Sequence, residues 1–290
     1  MDQFLQHFVN AMIMGSTYAL LGIGLTLVFG IMRVVNFSHG ELYALGAYTA
    51  YGFVALLELN YFNTLFMAIV VGFLAGWLIE FVLLRRCKLE QIDEVMLLMI
   101  GVMIVMQNTQ LWVWGGVAKV VQTPFAQEPL VFGAVSVSPT RVFVFFAAMF
   151  LLTLFYFLIE KSRLGMAMRA TFQDKDAAQI VGVNVKRIYT VTFALGSSMA
   201  AVTGALLAPV FLVAPTMGDL ASLKAFAIVI LGGLGNLVGA AMGGFVLAML
   251  EEFGAGYIST AYRDAFGFLV ILVVLLFRPQ GMFASKERVG

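Results

Sequence analysis

Charged residues are scarce in this chain of 290 residues. Asp, Glu, Lys and Arg together make up 11% of it, and hydrophobic residues make up 62%. A typical soluble domain is about 25% charged. The mean hydropathy is +0.98, so the chain has too few charges to cover a soluble surface. This composition predicts an all-α polytopic membrane protein, with lipid as its solvent.

Other absences narrow the function. A formal net charge of +1 gives no reason to expect a nucleic-acid partner, and the single cysteine, Cys87, allows no intramolecular disulfide. The nucleotide-binding pattern GxxxxGK[ST] does not occur, so any ATP hydrolysis belongs to another chain. His39 and Glu41 lack a third metal ligand nearby, and the only other histidine is His7. We expect no catalytic residue, metal or cofactor on this chain.

Long apolar runs predict the membrane-spanning helices, since a span needs about 20 apolar residues. Eight runs are suitable, and a shorter ninth is either a short broken helix or a re-entrant segment. We therefore predict eight or nine transmembrane helices, including broken or short ones. The runs are Phe8–Gly30, Phe37–Leu57, Phe62–Leu84, Val95–Trp114, Val142–Ile159, Ile188–Leu212, Gly235–Phe253 and Ala265–Phe277, with Ala221–Leu234 as the short one.

Basic residues near the ends of these runs predict the orientation, because Lys and Arg accumulate on the cytoplasmic side. The loop Gly115–Arg141 is poor in them and is expected outside. The N-terminus is then periplasmic and the C-terminus cytoplasmic, in a bacterial inner membrane. Glu251 and Glu252, near the end of a run, are expected to be solvated. The basic clusters are Arg85, Arg86 and Lys88; Lys161, Arg163, Arg169, Lys175, Lys186 and Arg187; and Arg278, Lys286 and Arg288.

A polar break, Asn36-Phe-Ser-His-Gly-Glu-Leu42, interrupts the apolar sequence. Membrane interiors tolerate such groups only where they face protein, water or cargo. Ser38 and Glu41 have the spacing of a capping box, so a helix start is as well supported as a cargo contact. The topology places the break near the cytoplasmic side. Its candidates for the substrate path or gate are Asn36, Ser38, His39 and Glu41.

A second segment resembles this break. Gly40–Tyr48 and Gly218–Phe226 have four identical positions of nine, and Glu41 corresponds to Asp219. The runs before them cross in opposite directions, which is typical of an inverted repeat with cargo sites at broken helices. Thr216 and Asp219 are therefore further candidates for the path, on the periplasmic side.

The longest non-membrane segment is 160–187. Small apolar residues recur in it at helical spacing, which predicts short amphipathic helices broken near Gly165 and Gly182. Such a segment is either a solvated connector or an element that docks on a partner.

Three motifs occur together in order: NFSHGELYALGAY at 36–48, SRLGMAMRA at 162–170 with Asp174 and Gly182 downstream, and LGGLGN at 231–236. Together they resemble the permease subunit of bacterial branched-chain amino acid ABC importers, over essentially the whole chain. The resemblance implies one permease domain, 1–290, in which 160–187 is the coupling segment. It implies these coupling residues: Ser162, Arg163, Gly165, Arg169, Ala170, Asp174 and Gly182.

The resemblance also implies partners and cargo. The partners are a second related permease, two ATPase subunits that use ATP, and a periplasmic substrate-binding protein. The cargo is a branched-chain or other neutral amino acid, although similar permeases import urea, amides or aromatic carboxylates. An ion-driven secondary transporter is the competing class, and the long cytoplasmic segment argues against it.

Overall fold

Helices dominate the computed structural model, which describes residues 2–87, 91–125, 128–133, 135–278 and 281–283. Lys88, Lys286 and Arg288, used above for orientation, lie outside these ranges. Short turns of other helix types follow α2, α3 and α10, and β1 and β2 pair as an antiparallel hairpin. The elements are α1 Asp2–Met32, α2 His39–Tyr51, α3 Tyr61–Val82, α4 Ile92–Trp114, β1 Leu130–Phe132, β2 Val135–Val137, α5 Pro139–Lys161, α6 Arg163–Gln173, α7 Lys175–Ile180, α8 Val185–Leu207, α9 Met217–Gly232, α10 Leu237–Tyr257 and α11 Arg263–Phe277.

Seven helices in the described ranges are long and apolar enough to cross a membrane, namely α1, α3, α4, α5, α8, α10 and α11 with the turn before it. This confirms the all-α polytopic class. The prediction of eight or nine transmembrane helices is too high, because two of the predicted spans form shorter helices. α2 has 13 residues and α9 has 16.

The directions of the long helices follow from their contacts. α1 and α10 are antiparallel, since Gly15 lies against Phe245 and Gly30 lies against Gly235. α3 is antiparallel to α8: the Tyr61 hydroxyl donates to the Ala205 carbonyl at 3.1 Å, and Gly76 lies against Ala194.

α1 is also antiparallel to α8. Gly24 of α1 lies against Met199, while Ile31 shares a cluster with Ile188. Therefore α1 and α3 run in one direction, and α8 and α10 in the other. The connections 33–60 and 208–236 must each carry the chain back across the bundle, partly without helix and partly through α2 or α9.

The two halves of the bundle exchange contacts in pairs. If α1, α2 and α3 correspond to α8, α9 and α10, each contact in one half has a counterpart in the other. The contact of α1 with α10 corresponds to that of α8 with α3, and the contact of α2 with α8 corresponds to that of α9 with α1. The contact of α2 with α3 corresponds to that of α9 with α10. Ser38 and Thr216, at the two N-caps, also correspond in the sequence comparison. A twofold relating α1–α3 to α8–α10 gives this pattern, which supports the inverted repeat.

Small residues let the central helices approach closely. Any Cβ on Gly46 of α2 would overlap the backbone of Ala201 in α8, and any Cβ on Gly204 of α8 would overlap the carbonyl of Tyr43. Membrane helix bundles depend on such contacts because lipid gives no hydrophobic drive between helices. The contacts fix α2 against α8.

A buried ion-pair network holds α9. Lys224 Nζ lies 2.8 Å from Glu251 Oε2 and 2.9 Å from Asp264 Oδ1, and the Tyr18 hydroxyl donates to Glu251 at 2.8 Å. Glu251 is only 2% exposed, and the neighbouring Glu252 is ion-paired with Arg263. The expectation that both glutamates are solvated is therefore wrong: they face α1, α9 and α11 rather than water.

Candidate functional site

The N-termini of α2 and α9 meet inside the bundle. The Gly40 N–H donates to Ser222 Oγ at 3.0 Å, and Ser222 Oγ donates to the Phe37 carbonyl at 3.4 Å. The backbones of Gly40 and Gly218 are so close that a Cβ on either would overlap the other. The two segments were expected near opposite faces of the membrane, and this expectation is wrong because both helices begin at one level.

The turn before α2 is built from buried polar side chains. Asn36 Oδ1 accepts from the Ser38 N–H at 3.1 Å and from the Ser38 hydroxyl at 2.8 Å. His39 Nε2 lies 3.1 Å from the Leu21 carbonyl of α1. Ser38 makes no side-chain bond to the helix it precedes, so the predicted capping box with Glu41 does not form. Asn36, Ser38 and His39 hold the turn in place, and a role in the path stays a prediction.

Two carboxylates follow in the first turns of α2 and α9. Glu41 is 1% exposed, and neither of its carboxylate oxygens has a hydrogen-bond partner in the described part of the chain. Asp219 is exposed, and its Oδ2 accepts from Gln107 Nε2 at 3.0 Å. Thr216 is also exposed, and its carbonyl accepts from the Asp219 N–H at 3.2 Å. The structure thus brings Glu41 and Asp219, two candidates for the substrate path, together in one site.

Sequence reasoning missed the residues of α4 and α2 that complete this site. Gln110 Nε2 donates to the Glu41 carbonyl at 3.1 Å, and Gln107 contacts Asp219. Tyr48 lies about two turns along α2 from Glu41 and stacks on Trp114 of α4, and its buried hydroxyl and Gln110 Oε1 have no hydrogen-bond partner among the described residues. The available signal was the polar run at 107–110 inside an apolar span.

The predicted coupling segment, 160–187, contains α6 and α7. Ser162 Oγ accepts from the Gly165 N–H at 2.9 Å and caps α6. Gly165 lies against the carbonyl of Ile159 in α5, and the Arg169 guanidinium donates to that same carbonyl and lies 3.3 Å from Glu160. The predicted break near Gly165 is wrong, because Gly165 belongs to the first turn of α6. Gly165 and Arg169 instead join α6 to α5.

The break between α6 and α7 lies at Asp174. Its Oδ1 accepts from the N–H groups of Asp176 at 2.9 Å and Ala177 at 3.0 Å, which lowers the pKa of the Asp174 carboxyl. Gly182 follows α7 with φ +91°, a conformation that favours glycine, so the predicted break there is confirmed. Among the other coupling candidates, Arg163 is exposed and the Ala170 carbonyl accepts from the Asp174 N–H at 3.1 Å.

Apolar side chains are exposed on this otherwise polar segment. The exposed fractions are 63% for Met166, 46% for Phe172, 86% for Ile180 and 77% for Val181. Exposed apolar groups on a segment outside the membrane-length helices are typical of a protein interaction surface.

A helix bundle of this kind, with two short helices starting against each other and polar groups between them, defines a membrane transport protein. Residues 7–275 match the family model described as branched-chain amino acid transport system, permease component. The chain belongs to this family.

Named relatives cover nearly the whole chain. It is 34% identical to the high-affinity branched-chain amino acid transport system permease protein LivH of Salmonella typhimurium, over 98% of this chain and 96% of that protein. It is 35% identical to the corresponding protein BraD of Pseudomonas aeruginosa, over 98% and 97%. The permease protein LivM of Salmonella typhimurium is 26% identical, over 94% of this chain and 69% of LivM. No solved structure matches.

Proposed function

We propose that this chain is the membrane-spanning permease subunit of an ATP-driven importer for branched-chain or other neutral amino acids. Membership of the permease family supports this proposal. The observation that carries it is the meeting of α2 and α9 inside the bundle beside the unpaired carboxylate of Glu41. A buried polar site between short helices is where such proteins handle cargo.

The proposed assembly has three kinds of partner protein. LivH and LivM relatives are both similar to this chain, which supports pairing with a second, related permease. Of two ATPase subunits, one would dock on α6 and α7 of this chain from the cytoplasm, and a periplasmic binding protein would deliver cargo. This arrangement places the N-terminus in the periplasm and the C-terminus in the cytoplasm of a bacterial inner membrane.

The mechanism we propose is alternating access. ATP binding and hydrolysis on the partner subunits would move α6 and α7, and the α6 start is fastened to α5 through Gly165 and Arg169. Movement of α5 would then shift the helices around α2 and α9. This requires two states with different contacts at the coupling segment.

The test is uptake by cells that contain the complete transporter but no other leucine uptake system. We expect Arg169→Glu to reduce uptake of radiolabelled L-leucine to background, because a carboxylate cannot donate to the Ile159 carbonyl and repels Glu160. The amount of protein in the membrane is measured in parallel. Lys186→Glu, an exposed change in the same region, should leave uptake intact.

Two results would contradict the proposal. Wild-type uptake by the Arg169→Glu variant would remove the coupling role. ATPase subunits that fail to copurify with the tagged chain, together with leucine uptake that does not need them, would instead favour an ion-driven transporter. Replacing leucine with urea, an amide or an aromatic carboxylate in the same assay distinguishes the cargo classes implied by the resemblance.

A further inference from the structure

The carboxylate of Glu41 is buried without compensation. It is 1% exposed, and among the described residues neither oxygen accepts a hydrogen bond and no ion pair includes it. Burying a charge without a partner is one of the most costly arrangements in a protein, and it is more costly still inside a membrane. A group that persists in this form is expected to meet a partner that the single chain does not contain.

The surroundings of Glu41 have an excess of acceptors. Glu41 Oε1 lies against Gly218, the residue before Asp219, and Gln110 Oε1 is a further acceptor without a partner among the described residues. The unpaired groups on α2 and the turn before it that are able to donate are the Tyr48 hydroxyl, Asn36 Nδ2 and, in one tautomer, His39 Nδ1. Gln107 and Gln110 each donate through Nε2, but to the Asp219 carboxylate and the Glu41 carbonyl rather than to the Glu41 carboxylate.

In the described part of the chain, no basic side chain forms an ion pair with Glu41 or Asp219. The closest cation in sequence is Lys224, on the same helix as Asp219, and it is bonded to Glu251, Asp264 and Tyr18. The positive ends of the α2 and α9 dipoles offset part of the charge. They donate no hydrogen bond to either Glu41 oxygen, so the need for a donor remains.

The site opens on one side of the bundle. Asp219 is exposed, and beside it on α9 Leu220 and Leu223 are 49% and 48% exposed. A carboxylate at this level does not face hydrocarbon, so this side adjoins water or another protein. Under the proposed function it faces the second permease, and cargo passes between the two subunits.

From this geometry we propose that Glu41 and Asp219 receive the α-ammonium group of the amino acid as it crosses, with Gln110 and Tyr48 beside them. An ammonium group carries one positive charge and three N–H donors, which is what the unpaired oxygens lack. This inference rests on the proposed function and names the feature of the cargo that the permease itself recognises.

The test measures L-leucine uptake by the complete transporter and, with the purified complex, ATP hydrolysis stimulated by leucine-loaded binding protein. We expect Glu41→Gln to lower uptake at least about tenfold, since losing the charged partner of a desolvated ammonium costs one or more orders of magnitude. Stimulated ATP hydrolysis and the amount of assembled complex should stay near wild type. Glu41→Asp, which keeps the charge, should restore part of the uptake.

Two further variants complete the test. Asp219→Asn should lower uptake about threefold, because the exposed carboxylate is better solvated and contributes less. Glu80→Gln is the control: Glu80 is another buried glutamate, 2% exposed and with its Oε2 likewise unpaired among the described residues, but it lies near the end of α3, which packs along α8. It should transport at the wild-type rate.

Each outcome decides something different. Wild-type uptake by Glu41→Gln and Asp219→Asn would overturn the ammonium site while leaving the importer intact. Loss of assembled complex in both Glu41→Gln and Glu41→Asp would show a structural role and also overturn it. Absence of ATP-dependent leucine uptake in the wild-type complex would instead refute the proposed function.

Discussion

α2 and α9 occupy equivalent places in the repeat and are held by different forces. At the position where α2 has Gly46, α9 has Lys224. Gly46 lies against the backbone of Ala201, so α2 is fixed by close packing. Lys224 reaches Glu251 and Asp264, so α9 is fixed by charge.

This difference matters because the two kinds of contact respond differently to movement. Backbone packing has no alternative partner and is lost as soon as the helices separate. An ion pair is able to exchange partners: Arg263 Nε already lies 4.0 Å from the Glu251 oxygen that Lys224 contacts. Of the two short helices, α9 is therefore the one whose ion pair is able to exchange for another without a change of fold.

The largest loss of stability should come from disrupting the packing of α2 against α8. In Gly46→Leu the side chain has to overlap the Ala201 backbone, which costs about 3 kcal/mol and should prevent folding of the bundle. Recovery of monodisperse protein after detergent extraction measures this. Gly101→Leu is the control, since a Cβ at Gly101 meets nothing within 4 Å. Normal recovery of the Gly46→Leu variant would show that α2 is not held by this contact.

A smaller loss of stability should come from breaking the ion pairs that hold α9. Lys224→Met leaves the buried Glu251 without its main partner, which should reduce the free energy of unfolding by about 3 kcal/mol. Thermal unfolding in detergent checks this. The double variant Lys224→Met with Glu251→Gln should recover part of the loss, because the buried charge is then removed as well. An equal loss in the exposed variant Lys186→Met would show that the network is not responsible.

The contact between the two helices should contribute least. Ser222→Ala removes the hydroxyl that accepts from the Gly40 N–H, with an expected loss of about 1 kcal/mol in the free energy of unfolding. Thr109→Ala is the control, since that exposed hydroxyl donates to the Val105 carbonyl of its own helix. Equal thermal unfolding of the two variants would mean that the α2–α9 bond adds nothing to stability.

The sequence was sufficient to find α2 and α9 because polar and glycine residues inside apolar runs are conspicuous. The similarity of Gly40–Tyr48 to Gly218–Phe226 also indicated that the two segments are related. Their contact was not predictable, since the topology argument treated 37–57 as a full span. In the structure no helix links Met32 to His39, and that short connection returns the chain into the bundle.

Tertiary packing explains the residues that were missed. Gln110 belongs to the site because α4 packs beside α2. The sequence periodicity of α4 does not indicate which helix it packs against. Glu251 looked like a residue of a solvated helix end, but its partners come from α1 and α9. In both cases the deciding neighbour is more than 25 residues away in sequence.

The junction of α5 and α6 has a mechanical consequence. Gly165 lies directly against the Ile159 carbonyl, so no side chain separates the two backbones at this corner, and the Arg169 guanidinium donates to the same carbonyl. Such a corner is stiff, because backbone atoms in contact have no rotamers through which to absorb a load. The ring of the partly exposed Phe172 also rests on Gly30 and Gly235, so a push on α6 is carried to α5 and to the adjoining ends of α1 and α10 together.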